Sequence, residues 1–79
     1  MIITVTAKKA TTNSNGNYGT RLCYSYHDNT FEGFPVSSIW VPEKFYKPEN
    51  ITVGQSYEMT TFLKFAVRLT PIELEKGGN

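Results

Sequence analysis

The chain contains one cysteine, Cys23, and no long apolar segment. A single cysteine excludes an internal disulfide, whereas small secreted domains normally carry several cysteines as staples. The first residues, Met1 to Val5, lack the basic region and long apolar stretch of a signal peptide. No segment approaches the roughly 20 apolar residues that span a membrane. These absences predict an intracellular, cytoplasmic protein that does not associate with a membrane.

Residues that serve catalysis or metal binding are also scarce. The one histidine, His27, stands beside Asp28 in a turn-like segment, and such neighbours seldom form a relay pair. One cysteine and one histidine do not make a metal site, which needs clustered ligands. Gly16 and Gly19 are not followed by the Lys-Ser/Thr signature of a phosphate-binding loop. The sequence therefore predicts no enzyme activity and no cofactor.

The chain has no marked excess of charge of either sign. Eight basic and seven acidic residues give a formal net charge of +1. A nucleic-acid binder that relied on charge alone would be more basic. Binding to nucleic acid would therefore require cations collected on one face and a substantial contribution from stacking.

The length of 79 residues fits one domain. A domain of about 60 residues buries only about 60% of its unfolded surface, so a thin core is expected here. Large rings must fill that core, or a partner chain must cover part of it. The aromatic residues of the chain can supply the rings and also leave room for the homodimer that we expect.

Aromatic residues are what the chain has in quantity: five Phe, five Tyr and one Trp. Many of them alternate with polar or basic residues, as in the segment from Arg21 to Tyr26. Aromatic residues are good strand formers, and they also stack on unpaired bases. Both explanations stay open for the individual rings.

Hydrophobic alternation and turn residues predict a small all-β domain over residues 1–72, followed by a flexible C-terminal tail at 73–79. Asn15-Gly16 marks a turn in the first loop. Pro42 to Lys47 is expected to form one short helical turn that Pro48 ends. The order matches a five-stranded OB-like barrel, with this helical turn between strands 3 and 4, although SH3-like barrels give a similar order. The predicted strands are Ile2–Ala10, Thr20–Tyr26, Val36–Val41, Gln55–Thr61 and Phe65–Ile72.

The alternation also assigns rings to the core. Phe65, Val67 and Leu69 share the apolar face of the last strand, so Phe65 is expected inside. Trp40 is expected to be buried because of its large area. Ile3, Val5 and Ala7 share one face of the first strand. We also expect Tyr57 and Met59 to pack inward, and Phe31 and Phe34 to close one end of the core.

Several short motifs resemble the single-stranded DNA-binding protein of filamentous phages. They are Gly16 and Tyr18 followed by Leu22-Cys23-Tyr24, then Gly54-Gln55-Ser56-Tyr57, then Arg68-Leu69-Thr70-Pro71. They cover about half of the chain. The chain departs from the family in its first loop, which has no Arg or Lys between Thr11 and Gly19, and in a much shorter hairpin at Phe62-Leu63-Lys64.

The resemblance implies a small dimeric OB-fold of phage or mobile-element origin, acting in DNA replication in the host cytoplasm. It implies that Tyr18 stacks on a base, that Arg21 holds the nucleic-acid backbone and that Phe62 is a stand-in for the family's loop aromatic. Cys23 would be a small buried hydrophobe.

Together, these observations predict a protein that binds single-stranded DNA or RNA with little sequence preference. An alternative function is a protein-interaction module, such as a small inhibitor or an assembly subunit, because exposed rings are enriched at such interfaces as well. For each tyrosine below, a structural role explains the residue as well as stacking does. The predicted nucleic-acid contacts are Lys8, Lys9, Tyr18, Arg21, Tyr24, Tyr26, Tyr46, Lys47, Phe62 and Arg68.

Overall fold

A computed structural model describes residues 1–72 of the chain. These residues form a five-stranded barrel with one short 3-10 helix. The tail predicted at 73–79 lies outside the described residues. The strands are β1 (Ile2–Thr12), β2 (Tyr18–Tyr26), β3 (Val36–Pro42), β4 (Ser56–Phe62) and β5 (Phe65–Pro71), and the 3-10 helix spans Pro48–Asn50.

The barrel closes in the order β1-β2-β3-β5-β4, with β4 returning to β1. All neighbouring strands are antiparallel except β3 and β5, which pair in parallel. This arrangement confirms the predicted small OB-like barrel and the short helical element between strands 3 and 4. No helix within residues 1–72 is long and apolar enough to cross a membrane.

Alternate residues of every strand point into the barrel and form its core. Tyr57 and Met59 of β4 lie there, as their alternation predicts. The Tyr57 hydroxyl is itself satisfied, since it accepts a hydrogen bond of 2.9 Å from the backbone N–H of Thr52. The other buried members of this cluster are Ile3, Val5, Leu22, Tyr24, Val41, Ile51, Ala66 and Leu69.

A β-bulge interrupts the alternation of β1 between Val5 and Ala7. The alternation predicts that Ala7 shares a face with Val5. The extra residue turns Ala7 outward instead, and its side chain is exposed. Lys8 now pairs with the buried Leu22 and takes an inner-face position. The bulge therefore determines the face of β1 on which the Lys8 side chain lies.

The helical element lies later in the chain than the sequence predicts. Pro42 accepts backbone hydrogen bonds from Phe45 and Tyr46, which closes an isolated turn without a helix. Pro48 was expected to end a helical turn, but it begins the 3-10 helix. Proline suits the first helical position because the N–H that it lacks has no partner there.

Candidate nucleic-acid interface

A row of outward-facing side chains crosses four strands of the barrel. Lys9 of β1 pairs with Arg21 of β2, Arg21 pairs with Trp40 of β3, and Trp40 pairs with Phe65 of β5. Residues that pair across strands share a face of the sheet. The outer surface therefore carries two cations that are followed by two aromatic rings.

Trp40 is buried on the outside of the barrel. Its side chain is 8% exposed, yet it is not part of the core cluster. A Cβ atom built on Gly19 would lie 2.5 Å from Cζ2 of Trp40, so the indole rests against a backbone that has no side chain. The Arg21 guanidinium lies 5.8 Å from the indole centroid, within the range of a cation–π contact.

The loop between β1 and β2 is organised by Asn13. Its Oδ1 accepts hydrogen bonds from the backbone N–H groups of Asn15 and Asn17, at 2.9 and 3.0 Å. Gly16 adopts a φ of 84°, as the Asn15-Gly16 pair predicts. Tyr18 follows this loop at the start of β2, and 69% of its side chain is exposed.

The turn after β3 is held next to Tyr18 by a backbone hydrogen bond. The backbone N–H of Glu43 donates to the Tyr18 carbonyl oxygen at 3.1 Å. The hydrogen bonds to Pro42 fold the following residues back and present Phe45, which is partly exposed. The Lys44 ammonium lies 5.2 Å from the centre of the Phe45 ring.

The hairpin between β4 and β5 supplies a further set of rings. Phe62 pairs with Phe65, and Leu63 and Lys64 form the two-residue connection between them. Phe62 and Leu63 are largely exposed, at 65% and 80%. The hairpin is thus an apolar projection with one lysine at its tip.

These elements enclose one cleft, whose volume is about 490 Å³. Pockets that bind ligands commonly have volumes of roughly 300–1,000 Å³. The cleft combines flat apolar walls with amide groups and one lysine, which suits planar rings that carry polar edges. Its lining residues are Asn13, Asn17, Tyr18, Trp40, Pro42, Glu43, Lys44, Phe45, Phe62, Leu63, Phe65 and Val67.

Cations outnumber acids around this cleft. Lys44 and Glu43 line it, Lys64 projects from the hairpin tip, and Lys9 and Arg21 extend the row beside Trp40. In residues 1–72 the only ion pair joins the N-terminus of Met1 to Glu58. The four cations near the cleft therefore have no acidic partner in the described part of the chain.

Three of the residues predicted to contact nucleic acid come together here. Tyr18 and Phe62 line the cleft, and Arg21 lies against its Trp40 wall. Lys9, also predicted, is the next residue of the same outer row. The first loop and the last hairpin are far apart in sequence, and the barrel closure brings them to one side.

The other three predicted tyrosines face the core. Tyr24 and Tyr26 alternate with Arg21 and Cys23 and occupy the inner face of β2, where Tyr24 is buried and Tyr26 is half-buried. Tyr46 packs against the same core, and this burial, with a smaller contribution from Tyr57, raises the pKa of its hydroxyl above the ordinary value. All three rings pack against the core, Tyr24 fully and the other two in part, and none lines the cleft, so we leave Tyr24, Tyr26 and Tyr46 out of the interface.

Three predicted cations lie outside the cleft. The Lys8 ammonium donates to the backbone carbonyls of Pro48, at 2.8 Å, and of Ile51, at 2.5 Å. Arg68 pairs with Thr60 on β4, and Lys47 precedes the 3-10 helix. The contacts of Lys8 tie β1 to the β3–β4 connection, which is a structural role.

Three phenylalanines that the sequence predicts in the core are exposed. Phe65 was expected in the core, but a register shift between Thr60 and Thr61 moves it to the outer surface, where it is 38% exposed. Phe31 and Phe34 were expected to close one end of the core and are exposed instead. Phe45 and Leu63 were missed as cleft residues; their one signal was the proximity of a lysine, as in Lys44-Phe45 and Leu63-Lys64.

Comparison with protein-family models, with curated proteins and with solved structures finds no match to this chain. The geometry of the cleft is therefore what indicates a function for this protein.

Proposed function

We propose that this protein binds single-stranded nucleic acid, with little sequence preference, in the cleft beside β3. The observation that carries the proposal is the convergence of exposed rings from the first loop and the last hairpin beside cations that have no acidic partner within residues 1–72. Such a surface offers ring faces to bases and positive charge to phosphates, the two contacts that binding without sequence preference needs.

The architecture supports the proposal by analogy. OB-folds that bind oligonucleotides use the face of strands 2 and 3 with the loops that join strands 1–2 and 4–5. The cleft of this barrel is built from those elements, since Tyr18 follows the first loop, Trp40 lies on β3, and Phe62 and Phe65 flank the β4–β5 turn. Analogy of fold alone does not establish function, so the proposal depends on the side chains that line the cleft.

The energetics of stacking suit the low net charge of this chain. Each stacked base contributes about 1–3 kcal/mol to binding. Tyr18 and Phe62, the most exposed rings of the cleft, would therefore contribute about 2–6 kcal/mol together. A formal net charge of +1 is consistent with that mechanism.

The test is a titration of a labelled single-stranded oligonucleotide of about 16 nucleotides, in DNA and RNA forms, followed by fluorescence anisotropy at low salt. We expect Tyr18→Ala to weaken binding by about 1–3 kcal/mol. Because Tyr18 is exposed, the substitution should change the free energy of unfolding by less than about 0.5 kcal/mol.

The matched control is Phe34→Ala, which removes an equally exposed ring outside the cleft and should leave binding unchanged. Absence of binding by the unaltered protein at low salt contradicts the proposal. Equal losses of affinity in the two variants would show that exposed rings contribute to binding whether or not they line the cleft.

A second candidate function is the recognition of a protein partner. It is favoured by three exposed apolar side chains that lie outside the cleft and close together in sequence, Phe31 and Phe34 of the β2–β3 loop and Val36 of β3. Apolar surfaces of this kind often mark interaction sites. A stoichiometric protein partner that binds the Tyr18→Ala variant but not a Phe31→Ser, Phe34→Ser double variant would favour this function. The predicted homodimer and the predicted location in the cytoplasm stay predictions.

A further inference from the structure

Leu63 has an unusual backbone conformation for a leucine. It is the first residue of the two-residue β4–β5 connection, and its φ is 58°. No other non-glycine residue within 1–72 has a positive φ. Two-residue hairpin turns favour glycine, asparagine or aspartate at such positions because a bulky side chain crowds the backbone there. The leucine therefore opposes the local preference of the turn.

The fold does not compensate for this strain. Leu63 is the most exposed of the large apolar side chains in the described part of the chain, at 80%. Its side chain contributes little burial and cannot form hydrogen bonds. Residues held in strained conformations of this kind cluster at sites that contact ligands.

The position of Leu63 defines the contact that it can make. It stands on the cleft lining between Phe62 and Lys64. An aliphatic side chain has no flat face to stack on a base, but it can enter the gap between two neighbouring bases and separate them. Lys64 stands next to it with an ammonium suited to a phosphate.

We propose that Leu63 is a wedge that enters between two adjacent bases of the bound strand and unstacks them. This inference rests on the proposed function and extends it, since the cleft then holds bases apart as well as stacking them on rings. The wedge adds only a modest preference, for strands whose bases separate readily, such as thymidine-rich strands, over strongly stacked adenine runs.

The test uses a deoxyadenosine oligonucleotide with one 2-aminopurine, whose fluorescence rises when its neighbours unstack. The protein at saturating concentration should brighten the probe. Leu63→Ala keeps a Cβ in the left-handed region and removes the wedge, so it should abolish the brightening and weaken binding about tenfold. Leu63→Met replaces the branched side chain with an unbranched apolar one of similar size and should retain both.

Leu63→Gly separates strain from binding. Glycine adopts a positive φ without steric cost, so this variant should melt about 4 °C higher than the unaltered protein while it loses the brightening. The matched control is Val53→Ala, which alters an exposed apolar residue outside the cleft. It should change neither the melting temperature nor the brightening of the probe.

The two proposals fail in different ways. Undiminished brightening and affinity in Leu63→Ala would overturn the wedge and leave the proposed function intact, provided that the unaltered protein binds. An unaltered protein that binds no oligonucleotide would overturn both. A Leu63→Gly variant that melts higher and also binds and brightens normally would show that Leu63 is strained without a role in binding.

Discussion

Trp40 occupies a position that depends on the residue beneath it. Its indole lies against the backbone of Gly19, where any side chain would collide with Cζ2 of the ring and with the carbonyl oxygen of Val41, at 2.5 and 2.7 Å. One collision partner is backbone and cannot move aside easily. The wall of the cleft therefore depends on a glycine that is not itself part of the cleft lining.

Gly19→Ala should displace the indole and cost about 1–3 kcal/mol of folding free energy, as overpacking generally does. Displacement should expose the ring, so its fluorescence emission should shift to longer wavelength. Urea denaturation and emission spectra check the two effects. Unchanged emission and unchanged stability would show that the indole does not rest on Gly19.

Tyr46 provides a titration test of which tyrosines face the core. Burial raises the pKa of its hydroxyl above the ordinary value of 10.0, with Tyr57 as a smaller cause. The unfolded chain then ionises at a lower pH than the folded chain. Stability is fully present below about pH 10 and falls as the pH rises from there toward the raised pKa.

Stability of the unaltered protein should therefore decline above about pH 10 more steeply than that of Tyr46→Phe, which has no hydroxyl to ionise. Urea denaturation of both proteins across this range measures the difference. Parallel declines would place Tyr46 in solvent and return it to the set of stacking candidates.

The bulge in β1 gives Lys8, which the sequence predicts as a nucleic-acid contact, hydrogen bonds within the fold. After the bulge, Lys8 faces the inner side and its ammonium joins the carbonyls of Pro48 and Ile51. These contacts hold the β3–β4 connection against β1. The connection in turn supports Ile51, which is buried in the core.

Lys8→Met keeps most of the side-chain length and removes both hydrogen bonds. It should lower the free energy of unfolding by about 1.5 kcal/mol, the low end for a hydrogen bond to a charged group, because the site is open to water. Thermal or urea denaturation measures this loss. Binding to an oligonucleotide should be unaffected, and a variant of normal stability but weak binding would return Lys8 to the interface.

The strands could be predicted from the sequence, because alternation and turn residues are local signals. The predicted bounds differ from the observed ones by at most two residues at any strand end. The cleft could not be predicted, because it depends on closure of the barrel and on two irregularities of register. Ala7 and Phe65 changed faces at those irregularities, and no local pattern marks a bulge.

The chain as a whole is nearly neutral, but its charges are unevenly placed. Lys9, Arg21, Lys44 and Lys64 lie around the cleft, and Glu43 is the acid on its lining. A charge distribution of this kind supplies phosphate contacts without a high net charge. Binding should therefore depend on salt, though less steeply than in a strongly basic protein.

If about three phosphates are neutralised, the logarithm of the binding constant should fall with the logarithm of salt concentration with a slope of about −2. Lys9→Gln should reduce the magnitude of that slope by about 0.7. Lys47→Gln, which removes a cation outside the cleft, is the matched control and should leave it unchanged. Anisotropy titrations at several salt concentrations measure the slopes, and equal changes in the two variants would contradict a localised phosphate path.

The most direct measurement of the central claim is an NMR titration of the labelled protein with a single-stranded oligonucleotide. Trp40 is the only tryptophan, so its indole N–H gives one resonance of its own. The account predicts that this resonance and the backbone signals of Tyr18, Lys44 and Phe62 to Phe65 shift with one affinity, while those of Phe31 to Val36 stay in place. Shifts confined to Phe31 to Val36, or no shifts at saturating oligonucleotide, would contradict it.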